Sequence, residues 1–476
     1  MFFFESIIKI LHYSSTPSVP IRHRLLSSII NRQSTIINQI GVNKDMPKTF
    51  MPDMKTEEEL KAHQLEGLKW TVAHAYNGSP VYRQKLDSAG VQPGDIRSLD
   101  DLRHLPFTTS KDLQEGYPFP LLSVPFEKVV RIHASSGTTG KRKILCYTRK
   151  DIDDWTHFFA RCYEMAELTP EDRVQIAVGY GVWTAGISFQ MGCEAFGAMA
   201  IPAGPGNLDM QCQFLVDLQT SVMCCTASMG LLMAEEVHKR GIRDKINLKK
   251  MIFGSERSSD AMRKRIRDLL GVEHMFDIPG MTELYGPGTG LDCPYHTGIH
   301  YWADYYILEI LDPDTLKPVP EGETGEMVVT TLTKEAAPLI RYRTRDLTKI
   351  ISGRCPCGSI LPRHDRLLGR SDDMIIFRAV NIYPGQVDHA LSRMEGIGSE
   401  YQIVLDRKED GKDYMTLKVE RGQGVGPERD PELGRKIREE IKKQIMVTAD
   451  IELFEYGSLP RSERKSKRVF DNREMD

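Results

Sequence analysis

Between residues 125 and 350, short apolar runs alternate with amphipathic stretches, and no other property of the chain restricts its fold as tightly. The runs VVRIHA, VQIAVGY, AMAIPA, SVMCCT, KKMIFGSE and MVVTTL have the length of buried strands. Between them, stretches such as DMQCQFLVDLQ and SDAMRKRIRDLL repeat apolar residues at helical spacing. Strands separated by helices are joined by crossovers, so the expected fold class is α/β, a large layered domain with mostly parallel sheets. Upstream, residues 56–76 place Leu60, Leu65, Leu68, Trp70 and Val72 at roughly helical spacing behind a Thr56 able to cap the helix. After GRSDD at 369–373 the pattern shortens to a strand MIIFRAV, a turn at Tyr383-Pro384-Gly385, a helix from Gln386, strand candidates YQIVLD and YMTLKVE, and a charged helix from Pro431 to Met446. This reads as a small α+β C-terminal domain over residues 369–476, after an N-terminal domain over 46–368.

A chain of 476 residues exceeds one core of ~250–300 residues, in agreement with two domains. The 63 Lys+Arg nearly balance 66 Asp+Glu, which removes the electrostatic basis for nucleic acid or an anionic membrane surface as partner. No apolar run approaches the ~20 residues of a membrane-spanning helix. Nine cysteines, an odd number in a large chain, argue against a secreted disulfide framework and for a reducing, cytoplasmic setting. Six of them (Cys146, Cys162, Cys193, Cys212, Cys224, Cys225) fall in apolar or mixed segments, where a buried thiol is the default. Residues 1–45 differ from the rest, with Glu5 and Asp45 as their only acids. Translation beginning at Met46, Met51 or Met54, a transit peptide, and a disordered tail all remain open for them. A secretory signal fits less well, because Glu5 and Lys9 interrupt the apolar stretch.

The segment His133-Ala134-Ser135-Ser136-Gly137-Thr138-Thr139-Gly140-Lys141 follows the strand candidate VVRI. Small residues and hydroxyls let backbone N–H groups close around phosphate oxygens, and Lys141 adds positive charge. The P-loop pattern is not met, since Ser135 stands at its first glycine and Arg142 follows the lysine. Taken alone, such a cluster is more often a turn.

Four further segments, in order, change that balance: Gly280-Met281-Thr282-Glu283, Tyr342-Arg343-Thr344-Arg345-Asp346, Gly369-Arg370-Ser371-Asp372-Asp373, and Pro460-Arg461-Ser462-Glu463-Arg464-Lys465. Together with the loop, they resemble the signatures of the acyl-adenylate-forming enzymes. The wording PFTTSKDL, FGSE, ELYGPG, TTLTKEAAPLIRYRTRDL, GRSDDMI, VNIYPGQVD and LPRSE resembles the phenylacetate–coenzyme A ligase branch, from about residue 58 to 473.

The resemblance implies an ATP-dependent acid–coenzyme A ligase. A carboxylate attacks the α-phosphate of ATP and expels pyrophosphate, after which coenzyme A takes the acyl group. An anion must approach an anion, so the site has to supply fixed positive charge. By resemblance Lys465 bridges the carboxylate and the α-phosphate, Glu283 holds Mg²⁺, and Thr282 lies beside the α-phosphate. Ser135, Ser136, Gly137, Thr138, Thr139, Gly140 and Lys141 cradle the phosphates. Asp346 accepts the ribose hydroxyls, Arg370 lies near the nucleotide, and Gly254, Ser255 and Glu256 of FGSE border adenine. Asp372 is the hinge about which the small domain turns. Tyr180, Val182 and Trp183 of VGYGVWTAG are candidate walls for a planar acid, although such a segment is more often core. Read alone, Lys465 lies in a basic run RSERKSKR that a solvated tail explains, Asp346 suits a surface ion pair, and Glu283 suits a helix end.

Cys355-Pro356-Cys357-Gly358 brings two thiols together, and Cys293 with His300 adds one sulfur and one imidazole, a set suited to tetrahedral zinc. Related ligases with a similar C-x₆-H ahead of C-x-C resemble this pattern. His296 is the competing imidazole, and four unrelated reduced residues the alternative. A closed four-ligand site implies a structural Zn²⁺.

The chain departs from the branch at Pro279, where a tyrosine usually stacks on adenine, at Ala379 and Arg345, each in place of glycine, and at Arg464 before the lysine. Ala379 narrows the path expected for pantetheine. Arg345 is expected to matter least, as a loop side chain that need not touch ligand. Two competing readings follow: an adenylyltransferase acting on a deazaflavin coenzyme, and an inactive zinc-stabilised nucleotide-binding protein. The expected partners are a carboxylic acid, ATP and coenzyme A, with neither nucleic acid nor membrane, and a homodimer is the common assembly of related ligases.

Overall fold

The computed structural model describes residues 50–135, 143–255, 258, 260–371, 375–377, 380–382, 384–407, 413–445, 447–461 and 468–473. The segment 1–45 and its three readings lie outside these residues. So do Ser136, Gly137, Thr138, Thr139, Gly140, Lys141, Glu256, Asp372, Ala379 and Lys465.

The first described helix is Glu57–Gly78, and Thr56 caps it as expected: its hydroxyl accepts from the Glu59 amide at 3.2 Å while Glu59 Oε2 accepts from the Thr56 amide at 3.3 Å. Leu60, Leu68, Thr71, Val72 and Ala75 form its buried stripe. Trp70 does not join them. It is 39% exposed and stacks on His74 one turn away, because the buried stripe advances from Leu68 to Val72 and leaves position 70 outside.

Four of the six runs, VQIAVGY, AMAIPA, SVMCCT and KKMIFGSE, join His274–Asp277, which the runs did not include, in a five-stranded, fully parallel sheet in the order Met199–Ile201, Arg173–Ile176, Val222–Cys225, Lys250–Phe253, His274–Asp277. Helices Ala185–Phe196, Leu208–Asp217, Ala227–Arg240 and Asp260–Leu270 are the crossovers between its strands. All four residues of Val222–Cys225 are buried, as a strand covered on both faces requires. VVRIHA departs from the expected parallel arrangement, its Arg131–Ala134 pairing antiparallel with Ile144–Tyr147 outside this sheet, and so does MVVTTL. The latter lies in Gly325–Thr331, which pairs antiparallel with both Tyr306–Leu311 and Tyr342–Thr348. The segments joining these strands contain no helix that could act as a crossover, so the chain must turn back on itself.

The C-terminal part has its own core. Strands Ile397–Arg407 and Asp413–Arg421 pair antiparallel, with Asp450–Phe454 and Val469–Asp471 added parallel at the edges. Helix Asp430–Ile445 buries Leu433, Ile437, Ile441 and Ile445 at four-residue spacing, in one cluster with Ile403, Leu405, Leu417 and Val419. Each such side chain contributes about 1.5–3 kcal/mol by burial. MIIFRAV is not one strand but two, Ile375–Phe377 and Val380–Ile382, paired antiparallel. Among the described residues no helix is long and apolar enough to cross a membrane.

Candidate active site and sulfur cluster

Because the five strands are parallel, the segments leaving their carboxyl ends emerge on one rim, where an open α/β sheet binds its ligands. Residues 179–186 follow the strand Arg173–Ile176, Gly254 and Ser255 follow Lys250–Phe253, and residues 279–283 follow His274–Asp277. The sheet thus collects the FGSE, VGYGVWTAG and GMTE segments, which the sequence holds far apart.

Gly280 and Met281 pair with Pro287 and Gly286 so closely that a Cβ on Gly280 would lie 2.1 Å from the Gly286 carbonyl oxygen. Only glycine fits there. The chain then turns and presents Glu283, 8% exposed, to Lys143 Nζ at 2.8 Å and to the Tyr342 hydroxyl, which donates at 3.2 Å. Both contacts fall on Oε1. From behind, Lys334 Nζ donates to the carbonyls of Glu283 and Leu284 at 2.8 Å each, and it lies over the rings of Tyr147 and Tyr285. Burial pushes the Lys334 pKa down to about 8, opposed by the charges of Asp151 and Glu283. Burial, and then Glu283, raises that of Tyr342. The carbonyl of Thr282 accepts from the Tyr147 hydroxyl at 3.2 Å.

The phosphate-loop candidate leaves from the antiparallel pair Arg131–Ala134 and Ile144–Tyr147. Its two ends are tied by Ser135 N to Lys143 O at 3.0 Å and by Lys143 N to Ser135 Oγ at 3.2 Å. The same Lys143 therefore closes the neck of segment 136–142 and reaches Glu283. His133 is buried under this neck, edge-on to Tyr147 and Trp155, with Nδ1 3.2 Å from the Val182 carbonyl. Val182 O also accepts from the Ala134 amide at 3.0 Å, which seats the loop 179–186 beside the neck. Within that loop the Tyr180 ring lies where a Gly186 side chain would be, Trp183 is half-buried, and the Val182 side chain is 43% exposed.

Asp346 faces Arg370 across the antiparallel pair Tyr342–Thr348 and Gly369–Arg370, with Oδ1 3.5 Å from Nη1. Tyr342 senses both charges, so Glu283, Tyr342, Arg370 and Asp346 share one neighbourhood. Arg345, expected to be harmless, has φ +69°, the left-handed region that glycine enters freely. Its guanidinium reaches Glu326 Oε2 at 3.4 Å. Glu326 is buried, also holds Arg343 at 2.8 Å, and accepts from Ser371 Oγ at 3.2 Å. Ser371 N donates to Arg345 O at 2.6 Å, so the strained arginine anchors the start of the expected hinge.

Cys293, His300, Cys355 and Cys357 converge, their donor atoms all within 4.8 Å of one another. Cys293 Sγ lies 3.5 Å from Cys355 Sγ, and Cys357 Sγ 3.4 Å from His300 Nε2. A tetrahedron of Zn–S bonds near 2.3 Å has edges of about 3.8 Å, so these four donors fit one ion. His300 Nδ1 is 2.9 Å from the Leu361 carbonyl, which leaves Nε2 for the cluster, and burial lowers its pKa to about 4 so that the ring is neutral. His296 is not part of the cluster. Its Nδ1 meets Asp292 Oδ2 at 2.7 Å and its Nε2 faces His274 at 3.3 Å, because Asp292 captures it one helical-turn spacing earlier in the chain.

Lys143, Lys334, Tyr342 and Glu326 escaped the sequence reading. Tyr342 opens the recognised Y-R-T segment and Lys334 lies in the quoted TTLTKEAAP wording, whereas Lys143 and Glu326 carry no local pattern.

Residues 71–332 match the family described as AMP-binding enzyme, and residues 379–473 match the AMP-binding enzyme C-terminal domain. The chain is 41% identical over 424 residues to phenylacetate-coenzyme A ligase of Escherichia coli K12, covering 88% of this chain and 96% of that protein. Among solved structures it is similar to 2-hydroxyisobutyryl-CoA ligase in the postadenylation state with an acyl-AMP, at TM-score 0.81, 26% identity, and coverage of 90% of this chain and 94% of that one. The same ligase with acyl-AMP and CoA in the thioesterification state gives a TM-score of 0.64 at 28% identity, with coverage of 88% and 91%.

Proposed function

The chain belongs to the phenylacetate–coenzyme A ligase family of AMP-binding enzymes, and from that premise we propose that it activates an aryl-acetic acid and transfers it to coenzyme A. The reaction is ATP-dependent acid–CoA ligation through an adenylate. A carboxylate oxygen attacks the α-phosphorus and pyrophosphate leaves. The thiolate sulfur then attacks the acyl carbon and AMP leaves. The deazaflavin and inactive-protein readings find no support in the likenesses above. What carries the reading is the identity over nearly the whole ligase from E. coli, on a chain that gathers Glu283, Lys143 and Tyr342 at the carboxyl rim of its parallel sheet.

Roles within the site are assigned by chemistry. Glu283 is suited to Mg²⁺, since Oε2 has no partner among the described residues while Oε1 is held by Lys143 and Tyr342. The ion, when bound, neutralises triphosphate charge. Lys143 adds a cation at the neck of the phosphate loop, and Thr282 is assigned to the α-phosphate side. Ser135 through Lys141 are assigned to the phosphates, Asp346 and Arg370 to the ribose side, and Gly254, Ser255 and Glu256 to adenine. Tyr180, Val182 and Trp183 are assigned to the acid, Lys465 to the carboxylate and α-phosphate, and Asp372 to the pivot between domains 46–368 and 369–476. We assign the four-donor cluster to a structural Zn²⁺, with His300 fixed by Leu361. None of the nine cysteines is paired in a disulfide, which fits a reducing compartment.

The test is pyrophosphate release from the full chain, and from the chain begun at Met46, with phenylacetate and other aryl acids, with and without coenzyme A. Acid-dependent pyrophosphate and a CoA thioester are expected. Absence of both with every acid refutes the reading.

A further inference from the structure

Three residues of the C-terminal part and two of the N-terminal part meet in one charged cluster. Arg461 donates to both oxygens of Glu420 at 3.0 Å each, and Glu420 is fully buried. On its other side Arg461 Nε lies 3.5 Å from Oε2 of Glu235, which belongs to helix Ala227–Arg240. Tyr456 donates its hydroxyl to Glu235 Oε1, accepts from Arg265 Nε at 3.3 Å, and lies under both the Arg265 and Arg461 guanidinium groups. Glu235 and Arg265 lie inside the AMP-binding match, whereas Glu420, Tyr456 and Arg461 lie inside the C-terminal match. The cluster therefore ties the two together.

Its two halves differ in kind. The Arg461–Glu420 pair is internal to the C-terminal part and moves with it. The contacts with Glu235 exist only in this relative placement. The ion pair with Arg461 is long, at 3.5 Å, and Glu235 is 23% exposed while Arg461 keeps Glu420, so the tie can break in each turnover without stranding a buried charge. Whole-chain similarity is 0.81 to the postadenylation form of one ligase and 0.64 to its thioesterification form, at nearly equal coverage. The placement that Glu235 secures thus resembles the postadenylation form, in which the acyl-adenylate has just been made, more than the form that carries out thioesterification. Arg461 directly precedes segment 462–467, which carries the lysine assigned to adenylation.

We propose that Glu235 is a positioning residue for the first half-reaction: by engaging Tyr456 and Arg461 it holds the C-terminal domain in the adenylation arrangement, and thioester formation does not use it. The proposal rests on the acid–CoA ligase reading and deepens it.

The experiment compares wild type, Glu235→Gln, Tyr456→Phe and the neighbouring control Glu236→Gln. Single-turnover pyrophosphate release from ATP and phenylacetate reports the first half-reaction. Thioester formation from synthetic phenylacetyl-adenylate and coenzyme A reports the second. Loss of charge-assisted hydrogen bonds should slow the first by about tenfold in both latch variants and leave the second unchanged or faster. Glu236→Gln should behave as wild type. Small-angle scattering without substrates should show the latch variants shifted toward an extended arrangement. Equal slowing of both half-reactions, or unchanged rates with unchanged scattering, overturns the latch. A wild type inactive in both assays refutes the ligase reading instead, and the scattering comparison then still decides whether Glu235 sets the placement.

Discussion

Lys143 and Glu283, 140 residues apart in the chain, form a 2.8 Å ion pair with side chains only 18% and 11% exposed. One end of this pair closes the phosphate-loop neck and the other is the carboxylate assigned to Mg²⁺. A single contact therefore couples the two elements assigned to the triphosphate.

Replacing Lys143 with Met should slow pyrophosphate release by roughly 10–100-fold, because a fixed cation is lost where negative charge gathers. Glu283→Gln keeps the shape and removes the charge, and should lower the rate by ~10²-fold with a raised Mg²⁺ requirement. Rates measured across a Mg²⁺ titration check both. An unchanged rate in either variant contradicts the assigned roles.

Lys334 makes stability depend on pH. Its folded pKa, lowered to about 8, lies below the ~10.4 of an unfolded lysine, so within that window the unfolded chain binds more protons and stability rises with pH. Below about 8 both states are protonated and the contribution is flat and unfavourable. Relative to Lys334→Met, wild type should gain on the order of 1–3 kcal/mol between about pH 7 and about pH 10. Denaturant unfolding of both proteins at the two pH values measures it, and a constant gap would contradict the assignment.

The sulfur cluster predicts about one zinc per chain by elemental analysis. Cys357→Ser and His300→Ala should lose the metal and unfold at lower temperature, whereas His296→Ala should retain it. Zinc lost from the His296 variant and kept in the His300 variant would assign the imidazole the other way.

At Arg345 the left-handed backbone separates two truncations. Arg345→Gly and Arg345→Ala both lose the Glu326 contact, but only alanine keeps the strain, so the glycine variant should be more stable by about 1 kcal/mol. Chemical denaturation of the pair provides the measurement, with equal stabilities as the contrary result.

The parallel sheet, the capped first helix and the four zinc-type donors were legible because each has a local period or an uncommon residue. Five ordered segments were legible for the same reason. Lys143 was not, since a lone lysine after a loop looks like any surface lysine until folding brings Glu283 to it. Trp70 was misplaced because helical spacing alone does not say how wide the buried stripe is. The strand MVVTTL was assigned to the parallel sheet because its apolar run is the same whichever direction its neighbours take, and only the connections on either side decide that.

The rim opposite the site has a practical meaning. Segments entering the parallel strands, such as Gly241–Leu248 before Lys250–Phe253, sit at the amino ends, away from Glu283 and the FGSE turn. Gly241, Asp244 and Lys245 are exposed there. New chain termini or an inserted reporter domain placed there would leave the catalytic rim intact, so this edge is where the molecule can be cut and rejoined.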